Sequence, residues 1–449
     1  MAELIISVSG LRGLVGPNLT PEVAIRYVTA FAAQAAPGPL VVARDGRASG
    51  RMLAGAIHAG LNAVGRTTID AGVAATPTTG VLIRKHQAAG GVQITASHNP
   101  AEYNGLKLFS AEGRVIPAEP GQRVLRQYQS GQPAWVPHHR LGAVQPCDDP
   151  AAPHLAAVLE TVDVQRIRQR QFRVLLDANH GSGGLLGRRL LEQLGCQVTV
   201  LGEEPHGRFQ HTPEPTAENL AGVLPAVRQA RADVGFCQDP DADRLALIDA
   251  SGRYLGEEYT LAICVDHVLC HRQGPIVVNC SSSRMSEDIA RKHGVPYFRS
   301  AVGEANVVDL MLAKDAAFGG EGNGGPIDPR VGLVRDSFVG MAQVLEAMAT
   351  RELPVAALAD EQPRYAIVKT KIALDSERVA PGLDALERHF DTAKADRLDG
   401  LRLDWPSGWL LVRASNTEPI VRAIAEAATA EEAQGLCDRA AEVLDEVSG

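Results

Sequence analysis

The densest run of chemistry-bearing residues in this chain is QDPDADR at 238–244. Asp239, Asp241 and Asp243 alternate there with small or cyclic residues, directly after the apolar stretch DVGFC. Three carboxylates so close together repel one another. A hard divalent cation with a preference for oxygen ligands, Mg2+ in particular, relieves that repulsion. An EF-hand is excluded, because its sixth and twelfth positions need Gly and Glu, and Arg244 and Ala250 stand there. A solvated acidic turn is the plainer alternative, but the apolar runs on both sides, DVGFC and LALID, weigh against it.

Three further runs carry chemistry of their own. TASHNPAEYNG (95–105) sets Ser97 beside His98, ahead of Lys107. A serine with a neighbouring base suits a nucleophile, and a hydroxyl that merely caps a turn is the plainer reading. With no GxSxG elbow, acyl transfer is poorly supported, and next to a metal site a phosphoryl group is the more natural cargo. GGEGNGG (319–325) places Glu321 and Asn323 among five glycines. Glycine lets backbone approach a ligand, and an acid with an amide can bridge adjacent hydroxyls of a sugar ring; a mobile loop is the alternative. No GxGxxG opens a βαβ unit and no Walker A sequence occurs, so nucleotide binding is poorly supported. RASNTEPIVR (413–422) collects Arg413, Ser415, Asn416, Thr417 and Arg422, a good phosphate cradle or, more plainly, a polar hairpin connection.

The elements that must position these runs repeat. PLVVARDGR (39–47), FRVLLDANHGSGG (172–184) and PIVVNCSSSR (275–284) each read as a buried strand, a polar turn and a helical pattern. A second strand follows in each unit, at 67–70, 197–201 and 295–298, and a third at 91–95, 233–237 and 316–319. Strands alternating with helices predict three related α/β units with mixed, mostly parallel sheets. The first three runs directly follow the third strands, where α/β sheets gather ligand chemistry, so the loops are expected to face one shared cleft. From about residue 361 the rhythm changes to a strand at 367–374, a helix at 376–391, a strand at 409–413 and a final helix opened by Thr429 and Glu432 as a capping box. The expected division is 1–146, 147–251, 252–360 and a smaller C-terminal α+β domain at 361–449.

Composition bounds the partners. The 44 basic and 53 acidic side chains leave a net charge of −9, which argues against a broad nucleic-acid face and against attraction to anionic membranes. The 44 glycines and 27 prolines exceed average usage without approaching disorder, as expected of a chain with many shaped turns. The start, MAELIISVSGLRG, lacks a basic n-region and a long apolar core, and the seven cysteines form no CxxC pair. A cytoplasmic protein with reduced thiols is expected, without a disulfide framework or thiolate zinc site.

In this order the four runs resemble the α-D-phosphohexomutase superfamily over essentially the whole chain. ITASHNPAEYNGLKLF is similar to its phosphoserine loop, DPDADR to its metal loop, GGEGNGG to its sugar loop and RASNTEP to its phosphate loop; SGLRG (9–13) and ARDGRASG (43–50) are similar to its N-terminal segments. The resemblance implies four domains around a central cleft. It implies that Ser97 carries the phosphoryl group, that Ser97, Asp239, Asp241 and Asp243 hold one Mg2+, and that His98, Lys107 and Arg12 surround the transferring group. Lys107 becomes the candidate for acid–base help. Glu321 and Asn323, with Arg244 nearby, would hold the sugar, and Arg413, Ser415, Asn416, Thr417 and Arg422 the phosphate that is not transferred. The implied reaction interconverts hexose 1- and 6-phosphates through a hexose 1,6-bisphosphate, which reorients and also serves as activator, with closure of the fourth domain excluding water. Its partner is a small sugar phosphate, and the chain is expected to be a monomer or homodimer.

Three positions depart from common family patterns. Gly325 stands where many bacterial members have His, Pro240 where the metal loop usually has Gly, and Asn416 where another branch has Gly. GEGNGG and SNTEP resemble the archaeal-type phosphoglucosamine mutase branch, which favours glucosamine phosphate over mannose and glucose phosphates. A metal-dependent phosphatase using Asp239 as nucleophile is a second reading, and a non-catalytic sugar-phosphate binder a third.

Overall fold

The computed structural model describes residues 4–414 and 420–448. Leu40, Val41 and Val42 are fully buried, and a strand apolar on both faces needs cover on both sides. Accordingly Leu40–Arg44 lies inside a seven-stranded sheet, parallel to Thr68–Val73 and Gly90–Ile94. The chain then reverses: Tyr103–Phe109 runs antiparallel to Gly90–Ile94, and Gly10–Leu14 antiparallel to Tyr103–Phe109. The same plan recurs twice. Arg173–Asp177 lies between Gln197–Leu201 and Val234–Gln238 in parallel, followed by antiparallel Leu245–Asp249. Ile276–Asn279 lies between Tyr297–Ser300 and Phe318–Glu321 in parallel, followed by antiparallel Gly325–Ile327.

The threefold repeat read from the sequence is therefore present, with two strands displaced by about two residues. Val295 N–H and Ala316 N–H bond back to the carbonyls of Ala290 and Met311, at the ends of the preceding helices. Those residues finish a helix, and the strands begin later at Tyr297 and Phe318. All three chemistry-bearing loops, 95–102, 239–244 and 322–324, occupy the same place: the turn from the last parallel strand into the antiparallel return strand.

The remainder is a five-stranded antiparallel sheet ordered Ala366–Ala373, Ile420–Ala427, Gly408–Ala414, Leu401–Trp405, Lys394–Asp396. Helices Ser376–His389 and Ala430–Ser448 pack on it, the latter capped by Thr429 Oγ1 accepting from Glu432 N–H at 3.2 Å.

The cores show which units move together. The second and third units share one continuous core in which Leu176 and Phe236 join Val278 and Phe318 around helices Glu257–His271 and Ser337–Arg351. The fourth unit has its own core and meets the third at Trp409, which is fully buried with Cys280, Leu411 and Ile424. Trp409 Nε1 donates to Glu426 at 2.7 Å, and the Arg402 guanidinium lies 4.0 Å from its ring centroid. Arg402 also donates to the Cys280 carbonyl, and Arg299 binds Asp404 at 2.8 Å across the same junction. Trp409→Ala removes the ring and one of the donors to Glu426, leaving it Arg284. We expect it to cost about 3–5 kcal/mol in denaturant unfolding, with the C-terminal unit unfolding first; a loss below about 1 kcal/mol would show that this junction is not packed tightly.

Candidate active site

Ser97 sits at a left-handed backbone position (φ 48°) and is almost fully buried. An L-residue rarely holds that conformation unaided, and the loop after the neighbouring strand Leu40–Arg44 supplies the support. Arg47, itself 1% exposed, donates to the carbonyls of Ser97 (2.7 Å), Asn99 (2.6 Å), Pro100 (2.6 Å) and Tyr103 (3.0 Å). Its Nε binds Asp45 Oδ2 at 3.1 Å; that oxygen also accepts from Thr95 Oγ1, which in turn accepts from Ser97 N–H at 2.9 Å. One buried guanidinium thus gathers the loop's carbonyls, because its five donors fan out in a plane.

From that position Ser97 Oγ donates to Asp239 Oδ2 at 2.9 Å, joining the first loop to the second. Asp239, Asp241 and Asp243 are fully buried, with one carboxylate oxygen of each within 4.8 Å of the others. Asp239 Oδ1 accepts from the N–H groups of Asp243 and Arg244, both at 3.1 Å, which folds the loop around it. Pro240 needs no N–H here: its carbonyl is held by Ser182 N–H (2.8 Å) and Oγ (3.0 Å). Two residues from the first unit brace the carboxylates. Lys107 Nζ lies 3.2 Å from Asp241 and 3.0 Å from Asp243, and Thr76 Oγ1 donates to Asp241 Oδ2 at 2.6 Å.

Burial pushes all three carboxyls up. At Asp241 the charge of Lys107 and the Thr76 hydroxyl more than offset it, and at Asp243 the charge of Arg335 does, so both are held below the usual carboxylate range. Asp239, with the other two as neighbours, is pushed well above it. The same carboxylates keep Lys107 in its ammonium form despite its burial. His98, beside Ser97 at 3.4 Å, is pushed down to about 2, first by the Arg244 charge and then by burial, so its imidazole is neutral. Oδ1 of Asp241 and Oδ1 of Asp243 are buried with no hydrogen-bond partner among the described residues. Unpartnered anionic oxygens beside a carboxyl driven toward protonation are what a divalent cation would satisfy, so the cluster fits Mg2+.

The third loop joins through a residue that the sequence reading passed over. Arg335 is buried and donates to Asp243 Oδ2 (2.7 Å), Glu321 Oε2 (2.5 Å) and Glu304 Oε2 (3.0 Å). The departure at Gly325 is its signature. A Cβ at 325 would lie 2.5 Å from Arg335 Cδ, so glycine here makes room for the guanidinium stem. Glu321 also accepts from Asn279 Nδ2 (2.7 Å) and Gly303 N–H (3.2 Å), while Asn323 Nδ2 lies 3.3 Å from it and Asn323 Oδ1 is buried without a partner among the described residues. Arg244 is 3.5 Å from Glu214.

Arg12 donates to Asn99 Oδ1 at 3.2 Å and lines a cavity of about 400 Å3 with His98, Asn99, Lys107 and, from the fourth unit, Arg422. Arg422 stands directly across from Arg413 on one neighbouring strand and from Lys371 on the other. Like charges abreast on one sheet face repel, and an anion laid over them removes the cost. Arg413 rests on Asp399 at 3.1 Å. Ser415, Asn416 and Thr417 lie outside the described residues. Lys371, Thr76, Arg47 and Arg335 were missed in the sequence because each lies outside the four runs, and only the fold brings it in.

Comparison with known proteins places these loops in a family. Models described as phosphoglucomutase/phosphomannomutase α/β/α domains I, II and III and the C-terminal domain match residues 4–134, 152–252, 257–365 and 370–443. A phosphoglucomutase/phosphomannomutase of Thermococcus kodakarensis is 36% identical over 445 residues, covering 97% of each chain. A protein of Thermococcus gammatolerans named "probable phosphoglucosamine mutase" is 34% identical over 443 residues, covering 98% of this chain and 97% of its own. The crystal structure of a phosphoglucomutase/phosphomannomutase family protein from Burkholderia thailandensis superposes with a TM-score of 0.85 at 26% identity, over 99% of this chain and 98% of that one. These are isomerase-type phosphotransferases, enzymes that relocate a phosphoryl group on a sugar phosphate. The chain belongs to the phosphoglucomutase/phosphomannomutase family.

Thr76 tests how the cluster is oriented. Thr76→Val keeps the shape and removes the donor to Asp241. We expect Mg2+ affinity measured by titration calorimetry to fall about 10–100-fold, as when the group orienting a metal ligand is lost. Unchanged affinity would exclude Thr76 from that role.

Proposed function

We propose that this enzyme interconverts hexose 1-phosphate and hexose 6-phosphate through phospho-Ser97 and a hexose 1,6-bisphosphate, with glucosamine phosphate as its preferred substrate. The observation that carries the reading is the Ser97–Asp239 contact at 2.9 Å: a buried hydroxyl on one of three clustered carboxylates, in a chain whose fourth unit carries a row of cations. Asp239, Asp241, Asp243 and an oxygen on Ser97 would hold Mg2+. When bound, the ion neutralises charge on the phosphoryl group.

The chain's own residues do the rest. In the forward half-reaction the free hydroxyl of the sugar phosphate attacks the phosphorus on Ser97; its O–P bond forms as the Ser97 O–P bond breaks. The hydroxyl proton replaces the one that Lys107 passes to the departing Ser97 oxygen, so Lys107 ends ammonium, as it began. Arg12 lines the adjoining cavity as a fixed positive charge, and the neutral His98 offers a hydrogen-bonding ring without adding charge. Arg413 and Arg422, with Ser415, Asn416 and Thr417, would grip the other phosphate. After the bisphosphate turns end for end, its second phosphate returns to Ser97 by the reverse step. Glu321, braced by Arg335 and Asn279, and Asn323 would hold ring hydroxyls in both orientations.

The glucosamine assignment rests on the GGEGNGG loop and on archaeal relatives that carry the phosphoglucosamine mutase name, at 30–34% identity. A relative named phosphoglucomutase/phosphomannomutase, at 36%, supports those two activities as the alternative. Ser97→Ala is expected to fold normally, to carry no phosphoryl group by intact-mass spectrometry, and to lose about 10^4-fold or more of mutase turnover with glucose 1,6-bisphosphate present. Full turnover by that variant would refute the phosphoserine. Across glucosamine, mannose and glucose 1-phosphates, the wild type is expected to have its highest kcat/KM on the aminosugar.

A further inference from the structure

One buried carboxylate beside the sugar loop has an oxygen that nothing so far uses. Glu304 opens the helix Glu304–Lys314 and is 8% exposed. Its Oε2 accepts from Arg335 Nε at 3.0 Å, while its Oε1 is buried with no hydrogen-bond partner among the described residues. The groups whose charges reach it come from three units: Arg335 and Glu321 from the third, Lys107 from the first, and Asp243 from the second. Glu304 therefore stands where the sugar loop, the acidic loop and the Lys107 strand converge.

The two cations near Glu304 are both shared with other carboxylates. Lys107 serves Asp241 and Asp243, and Arg335 divides its donors among Asp243, Glu321 and Glu304. Burial consequently prevails over both cations and raises the Glu304 carboxyl to about 7. A buried carboxylate with one bare oxygen and too little positive charge around it calls for a donor that carries charge.

Resting on the aminosugar reading above, we infer that Glu304 is the specificity residue for the C2 substituent, its free Oε1 accepting a hydrogen bond from the ammonium group of a 2-amino-2-deoxyhexose phosphate. A neutral hydroxyl in that place makes a weaker hydrogen bond to the carboxylate and leaves the charge uncompensated. An N-acetylated amine has lost its charge and brings bulk into a closed site. Glu321 and Asn323 would read hydroxyls common to all three candidate hexoses, so the discrimination has to come from a group of this kind.

The test is a ratio of ratios. Wild type and Glu304→Gln are assayed for kcat/KM on glucosamine 1-phosphate, glucose 1-phosphate and N-acetylglucosamine 1-phosphate, with glucose 1,6-bisphosphate as activator. In the variant the amide oxygen stays on Arg335, and the NH2 then occupies the Oε1 position, donor facing donor. The glucosamine-to-glucose preference is expected to collapse at least tenfold, whatever happens to the common rate, with the N-acetyl sugar poor in both proteins. Should Glu304→Gln melt well below the wild type, Glu304→Asp keeps the charge one methylene further back, and the preference should fall partway. Wild-type preference for the amine that persists in both variants overturns Glu304 as the reader and leaves the substrate assignment standing. An equal loss on both sugars also overturns it, reducing Glu304 to a brace for Arg335. A wild type that shows no preference for the amine overturns the substrate assignment, and this inference with it.

Discussion

The mutual repulsion of Asp239, Asp241 and Asp243 is the constraint around which the rest of the molecule is arranged. Three carboxylates removed from water within a few ångströms of one another are tolerable only if positive charge and hydrogen-bond donors reach them. One loop cannot supply those from its own sequence. They come from elsewhere: Lys107 and Thr76 from the first unit, Arg335 from the third, and the folded-back N–H groups of Asp243 and Arg244. The first three units are thereby cross-linked electrostatically at the point where their loops meet. Removing any brace would leave buried charge uncompensated, which is why a site of this kind is also a structural junction.

Packing complements this electrostatic junction. The shared core of the second and third units fixes the acidic loop relative to the sugar loop, and Arg335 spans the short distance left between them. The first unit is tied on by polar contacts such as Thr76 N–H to the Asp241 carbonyl at 2.9 Å, and by packing that puts Ala75 in the shared core and Val334 in the first unit's own. The fourth is fastened to the third around Trp409, through a small cluster distinct from either core. That junction is polar at its edges: Val302 N–H donates to Asp399, the same carboxylate that holds Arg413.

Much of this was legible in the sequence, and the parts that were not share a cause. Apolar runs ending in polar turns disclosed three equivalent strands, and hence three equivalent loops, because strand burial leaves a direct compositional mark. Of the antiparallel return strands, LALID stood out as an apolar run, whereas GPI is too short to announce itself before its pairing is seen. Strand starts at 297 and 318 were misplaced because the helix ends before them are tied by backbone bonds that carry no side-chain signature. Single residues contributed from a distance, Thr76, Arg335 and Lys371, lack a motif of their own, and Arg47 sits in ARDGRASG with nothing there to announce its role. Arg335 alone had left a trace: Gly325, where an expected side chain is missing, marks the space its stem fills.

The net charge of −9 and the bisphosphate intermediate proposed above are compatible once the charges are placed. A bisphosphate that must turn end for end needs two anion sites that stay put, each able to accept either phosphate. The structure separates two positive regions accordingly. One is local and buried, built from Arg12, Lys107 and the cation that the carboxylates would hold. The other is the row Lys371, Arg422 and Arg413 across three strands of the fourth unit, with Arg422 reaching the cavity that Arg12 lines. Glu304 and Glu321, each bound to Arg335, are the groups proposed above for the sugar rather than for its phosphates. A molecule anionic at both ends and polar or cationic at its ring asks for that division of labour, cations for the phosphates and carboxylates for the ring.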